Sequence, residues 1–176
     1  MIKIHNPPQR SEAWRKLREP LITGSNAYTL LRHGKVAAIA KNSQKSFSNY
    51  WSDRGIRLES EALKVYSAMN DDVDIQEVGF VTNDKYPNAG ASPDGVVGDV
   101  LLEVKCFKLE KHLYITARTV PVEIMSQIQF NMLICELSIA DLVLYHPDAD
   151  RPYKVIRVKA GKTIHANIIN KLGGLE

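Results

Sequence analysis

Residues 100–107, VLLEVKCF, form the most apolar strand-like run of the chain, yet they carry an acid and a lysine, Glu103 and Lys105. Strand side chains alternate between faces. Glu103 and Lys105 therefore share a face with Leu101, while Leu102, Val104 and Cys106 take the other, into the core. Charges on such a strand are costly without charged partners. The preceding segment ASPDGVVGD supplies one. Its Pro93-Asp94-Gly95 turn and a short loop over 95–99 return the chain as a hairpin, setting Asp94 alongside Glu103. Two carboxylates brought together repel unless a cation lies between them. Hard oxygen donors in an incomplete shell suit Mg²⁺ or Mn²⁺, with water and phosphate oxygens filling the rest. Such an ion acidifies water and neutralises phosphate charge, and Lys105 would hold the attacking water in line and help generate hydroxide. That chemistry fits phosphodiester hydrolysis. Taken alone, Glu103 and Lys105 also fit a plain ion pair at a sheet edge.

Two further residues belong to this pattern. Glu59, in the helical stretch DRGIRLESEALKVY, falls on one helix face with Gly55 and Ala62. The two small residues would let the helix approach the sheet and aim Glu59 at Asp94 and Glu103. Its neighbour Glu61 reads as solvated, as Glu59 does without that context. Gln127, in the apolar helix VEIMSQIQFNMLICE, is placed to bond Lys105 or the attacking water, or to be a polar residue on a helix flank.

The rest of the chain bounds the fold. Its 176 residues, 44% hydrophobic and 24% charged, are enough for a buried core in a single domain over 1–176. Two cysteines, Cys106 and Cys135, argue against a disulfide framework and are too few for a four-cysteine zinc site or an iron–sulfur cluster. The start MIKIHNPPQR lacks a signal-peptide core and no run reaches the length of a membrane span, so a cytoplasmic protein is expected. Net charge divides unevenly. Residues 1–41 carry +6, residues 42–150 carry −8 and residues 151–176 carry +5. An acidic middle between basic ends suits a metal centre flanked by surfaces for a polyanion, and equally an ordinary solvated surface.

Local signals give helices over 11–18, capped by Ser11; over 22–34, capped by Thr23 or Ser25 and stopped by Gly34; and over 46–70, with Phe47, Trp51, Leu58, Ala62, Val65 and Met69 at helical spacing. Strands are predicted within 73–82 and over 100–107, with 87–95 as turn material. A helix follows over 122–136 behind Pro121, then strands in ADLVLYHP and YKVIRVKA and a last helix after Lys162. This order gives an α/β fold with a mixed sheet.

Taken together, these motifs resemble the lambda exonuclease/YqaJ family of phage recombination nucleases, within the PD-(D/E)XK (restriction-endonuclease-like) superfamily. The resemblance runs from about Trp14 to Tyr145. It rests on Trp14-x-x-x-Arg18 with Ile22-Thr23-Gly24-Ser25, Gly55-x-x-x-Glu59, Ser92-Pro93-Asp94-Gly95, Glu103-Val104-Lys105-Cys106 and Gln127-x-Gln129. It implies a central mixed β-sheet flanked by helices. It implies metal ligation by Asp94, Glu103 and the Val104 carbonyl, with Glu59 acting through water or on a second ion. Lys105 would position the water, Gln127 would support Lys105, and Arg18 and Ser25 would bind a phosphate at the DNA end. The activity implied is a Mg²⁺-dependent 5′-to-3′ exonuclease on double-stranded DNA ends, feeding single strands to an annealing or single-strand-binding partner, as a trimer. An endonuclease or single-strand nuclease on the same core, and an inactive DNA-end-binding module, are the alternatives.

Overall fold

The computed structural model describes residues 1–42 and 50–173. In chain order it contains β1 (Ile2–His5), α1 (Glu12–Arg18), β2 (Ile22–Thr23), a 3₁₀ turn (Gly24–Asn26), α2 (Ala27–Asn42), α3 (Tyr50–Ala68), β3 (Phe80–Asn83), β4 (Ala89–Ala91), β5 (Gly95–Val97) and β6 (Val100–Lys105). Then come α4 (Leu109–Tyr114), α5 (Val122–Cys135), β7 (Ile139–Tyr145), β8 (Tyr153–Lys159) and α6 (Lys162–Leu172).

The strands form two mixed sheets, ordered β1-β3-β4-β2 and β5-β6-β7-β8. The second is the sheet the sequence foretells. β5 and β6 pair antiparallel, β6 and β7 parallel, and β8 returns antiparallel. The parallel pair requires a crossover, and α5 provides it. Both faces of β6 are covered: Leu101 packs toward Ile128 and Met132 of α5, and Leu102 and Val104 pack with Ala62 and Tyr66 of α3. This is the central mixed sheet flanked by helices that the PD-(D/E)XK resemblance implies.

The first sheet departs from expectation. The strand sought in 73–82 begins only at Phe80, with a lone bridge from Gln76 to Val96 before it. Part of the stretch read as turn material is β4, because Ala89 and Ala91 are small enough to lie buried beside β3 and β2. Gly90 faces Phe80 so closely that a Cβ would lie 2.2 Å from its ring. β1 and the short helix α4 carried no clear periodic signal.

Helix ends follow their caps. Ser11 Oγ accepts the Trp14 N–H at 3.2 Å and starts α1. Gly34 does break the predicted helix, at φ 83°, but a second helical stretch continues from it to Asn42. Neither Thr23 nor Ser25 caps α2 directly, since the 3₁₀ turn intervenes and Thr23 makes no side-chain cap bond. α3 is described from Tyr50; the part of its predicted span before that, Phe47 included, lies outside the described residues.

α5 is apolar nearly all round, as a helix enclosed on several sides must be. Phe130, Leu133 and Ile134 join the core of the first sheet with α2 and α6, while Ile124, Ile128 and Met132 join the core of the second. Each such side chain contributes about 1.5–3 kcal/mol on burial. The three polar residues buried along this helix, Ser126, Gln129 and Asn131, each need a bonding partner.

Candidate active site

The β5–β6 register pairs Gly95 with Leu102, and the Asp94 N–H donates to the Leu102 carbonyl at 3.1 Å. Asp94 thus stands opposite Glu103, as the hairpin argument requires. Its Oδ2 accepts the Val104 N–H at 2.7 Å, which ties the acid to the strand beside it.

Glu103 lies on the α5 face of the sheet with only 1% exposure. Lys105 and Gln127 both donate to its Oε1, and Asn131 Nδ2 donates to Oε2 at 3.1 Å. Gln127 therefore supports the carboxylate and meets Lys105 through a shared oxygen. Sequence reading missed Asn131, although it sits four residues after Gln127 on the same helix face. Its Oδ1 is buried without a hydrogen-bond partner among the described residues and lies against Gly24, where a Cβ would approach within 2.3 Å. Gly24 is needed here for space.

Glu59 reaches the cluster from α3, on the other side of the sheet. Ala62 is fully buried against the sheet, so the close helix approach is real there. At Gly55 a Cβ would meet nothing within 4 Å. That glycine instead lines a cleft of about 230 Å³ shared with Glu59, Lys105 and Cys106. On its other side Glu59 lines a cleft of about 430 Å³ with Asp94 and Arg10. Arg10 forms an ion pair with Glu59. Glu61, expected to be solvated, is exposed but accepts the Tyr145 hydroxyl.

Electrostatics mark this as a strained cluster of acids. Burial raises Glu103 to about 7, opposed by Lys105 and reinforced by Asp94. Burial also raises Asp94, and raises Glu59 with Asp94 adding to the effect. Lys105 is disfavoured by burial, but Glu103 and Asp94 outweigh that and hold it above its usual value. Among the described residues, no three His, Cys, Asp or Glu groups converge closely enough to hold a metal ion as they stand. The reason is local: Glu59 is drawn to Arg10, and Glu103 is engaged by Lys105, Gln127 and Asn131. The donor chemistry nonetheless fits a hard divalent cation. Three desolvated carboxylates face two basic side chains, and Asp94 raises both Glu59 and Glu103.

A second cluster adjoins the first through the Ser92-Pro93-Asp94 turn. The Arg18 guanidinium lies 4.1 Å from the centre of the Trp14 ring. It donates to Ser92 Oγ at 3.3 Å, Thr23 Oγ1 at 3.2 Å and Ser25 Oγ at 3.4 Å. The Trp14 Nε1–H donates to the Gly79 carbonyl at 2.9 Å and to Ser92 Oγ at 3.0 Å. Arg18 and Ser25 are thus brought together, and Ser92, Thr23 and Trp14, whose motifs alone indicate no such role, complete the cluster. Gln9 pins the neighbouring loop, donating to Val78 O at 2.8 Å and Pro93 O at 2.9 Å. No local signal points to Gln9 or Arg10, whose partners lie 49 to 84 residues away.

The fold has relatives among proteins of known structure. The chain is similar to LHK-Exo, an alkaline exonuclease from Laribacter hongkongensis. Its complex with dAMP aligns at 25% identity and TM-score 0.80, over 92% of this chain and 89% of that one. A second crystal structure of LHK-Exo aligns at 25% identity and TM-score 0.76, over 93% and 89%. A phage-related exonuclease from Haemophilus somnus 129PT shares the fold, at 12% identity and TM-score 0.65 over 90% and 93%. A comparison with curated sequences finds no significant match. The YqaJ-like viral recombinase domain matches residues 13–138, a span that takes in Trp14, Glu59, Asp94, Glu103, Lys105 and Gln127. With that match and this arrangement of side chains, the chain belongs to the YqaJ-like viral recombinase family.

Proposed function

We propose that residues 1–176 act as one deoxyribonuclease domain that uses Mg²⁺, or Mn²⁺ in its place, to digest duplex DNA from 5′ ends. The observation that carries this reading is the Ser92-Pro93-Asp94 turn, which joins the Arg18 cluster to the carboxylates. A terminal phosphate held by Arg18 and Ser25 would bring the adjacent phosphodiester to Asp94 and Glu103 at a set spacing. Arginine presents paired donors that match phosphate oxygens. LHK-Exo, the similar protein seen with dAMP, holds a nucleoside monophosphate, the size of product that such stepwise digestion releases.

Asp94, Glu103 and the Val104 carbonyl would hold the cation, with Glu59 reaching it through water or a second ion. The bound ion would acidify water and neutralise charge on the phosphate. Lys105, held above its usual value by Glu103 and Asp94 in the metal-free site, would hold the attacking water in line and help generate hydroxide once a cation offsets those carboxylates. Gln127 and Asn131 keep the Glu103 carboxylate fixed in orientation. The strand left uncut becomes available to an annealing or single-strand-binding partner.

A time course on end-labelled linear duplex, 5′-phosphorylated against 5′-hydroxyl, tests the reading. Stepwise mononucleotide release that prefers the phosphate is expected. Cutting of closed circles, or indifference to the terminal phosphate, would overturn the exonuclease assignment. A Lys105→Ala protein as active as the wild type would overturn the catalytic one.

A further inference from the structure

Away from the carboxylates, α2, α5 and α6 enclose a groove of about 690 Å³ whose lining includes Tyr28, Arg32, Ser126, Lys162, Asn167 and Lys171. No carboxylate lines it. The cause is visible in the sequence. After Glu19 the next acid is Asp53, and from Arg151 to Leu175 there is none. The fold brings these two acid-free stretches together, since α2 packs on α6. Among the described residues, Arg32, Lys162 and Lys171 form no ion pair. All three are exposed, so their charge faces solvent across the groove.

The walls are firmly built. Buried Gln129 accepts the Gly161 N–H at 2.9 Å and donates to the Lys159 carbonyl at 2.9 Å, fixing the turn that presents Lys162. Ile168 and Leu172 bury the inner face of α6 with Leu30 of α2, and Lys35 Nζ donates to the Leu172 carbonyl at 3.2 Å. Residues lining the groove adjoin those of the site in sequence. Tyr28 follows Ser25 by three residues, and Ser126 immediately precedes Gln127.

We propose that this groove carries the sugar–phosphate backbone of DNA past the cleavage site, with Arg32, Lys162 and Lys171 on phosphates and Tyr28 against a sugar or base. A row of cations with no acid among them complements a polyanion, and an aromatic ring offers a stacking face. The nuclease reading enters only in the choice of DNA as the polyanion.

Binding is measured by fluorescence anisotropy in EDTA, which separates it from cleavage. The probes are a blunt duplex, the same duplex with a 3′ single-stranded extension, and a single strand. The triple variant Arg32→Gln, Lys162→Gln, Lys171→Gln should bind about tenfold or more weakly at low salt. Its slope of log affinity against log salt should shrink by about 3, one for each phosphate no longer neutralised. Single variants Lys162→Gln and Lys171→Gln should each remove about 1, which keeps the test open if the triple variant folds poorly. Weakening seen with the blunt duplex assigns the groove to duplex DNA; weakening confined to the extended or single-stranded probes assigns it to the uncut strand. An unchanged slope on all three probes overturns the proposal. So does an equal weakening in a charge-matched control at Lys3, Lys64 and Lys85. A wild type that binds through the groove but cuts nothing with Mg²⁺ would defeat the nuclease reading alone.

Discussion

Arg10 and Glu59 pair across 49 residues of sequence, placing a guanidinium beside an acid that also feels Asp94. Arg10 holds this position from a left-handed backbone, φ 69°, next to Gln9, which is bonded to Val78 and Pro93. A cation entering the cleft must compete with that guanidinium for Glu59. Arg10→Gln should therefore tighten Mg²⁺ or Mn²⁺ binding, by about two- to fivefold given how weak partly exposed ion pairs are. Isothermal titration calorimetry reads this directly; weaker binding would mean that Arg10 instead holds Glu59 in place.

Asn131 couples the carboxylate to the turn at Gly24. A methyl group at Gly24 collides with Asn131 Oδ1, so Gly24→Ala should cost about 1–3 kcal/mol in denaturant unfolding and slow cleavage as Asn131 is displaced. In an Asn131→Ala background the same glycine substitution should cost under about 1 kcal/mol, because the collision is gone. Equal costs in both backgrounds would place the strain elsewhere.

Glu103 gives the metal-free protein an unusual pH response. Its carboxyl is raised from the ordinary 4.5 to about 7, chiefly by burial, so folding favours the protonated form. Its contribution to stability is then full below about 4.5, is lost as pH rises to about 7, and stays lost above. Cation binding needs the ionised acid, so affinity should climb through the same window and level off above it. Thermal unfolding across this range, in EDTA and in Mg²⁺, should show the two opposite trends, and Glu103→Gln should reduce both, leaving the smaller share from Asp94 and Glu59.

Asp141 behaves in the opposite sense. It is buried on β7, where burial alone would raise its carboxyl. Arg157 donates to both of its oxygens at 2.8 and 2.9 Å, Tyr66 donates at 2.8 Å, and together they hold it below 3.8. Its stabilising contribution is present above about pH 4 and is lost as pH falls through the depressed value. Asp141→Asn should cost about 1–3 kcal/mol near neutral pH, since it weakens the bonds from Arg157 and Tyr66 while the half-exposed guanidinium can turn to solvent. The gap from wild type should narrow in acid unfolding.

Much of the site was legible because it is carried by short-range geometry. Strand alternation put Glu103 and Lys105 on one face, and the hairpin put Asp94 opposite Glu103. The same rules hid what closes the site. Arg10 and Gln9 act at long sequence separation from a loop, and Gly24 matters through the one side chain packed on it. In the fold, the apolar strand β6 and the helix α5 were plain from their patterns. β4 was not, because Ala89-Gly90-Ala91 carries no β-branched or aromatic signal and is made a strand only by its neighbours. Gly55 is not the contact glycine expected, because a small residue on a helix face looks alike in sequence whether it touches a sheet or keeps a cleft open.

The placement of α5 has a consequence for how the molecule fails. Its side chains are shared between both sheet cores, and it also supplies Gln127 and Asn131 to Glu103 and Gln129 to the wall of the basic groove. Neither sheet can detach without baring this helix to water. Its amide protons should then be among the slowest to exchange, released only by global opening. On heating, the carboxylate site should hold its geometry until the whole structure gives way, without a partly open state that keeps the fold and loses the site.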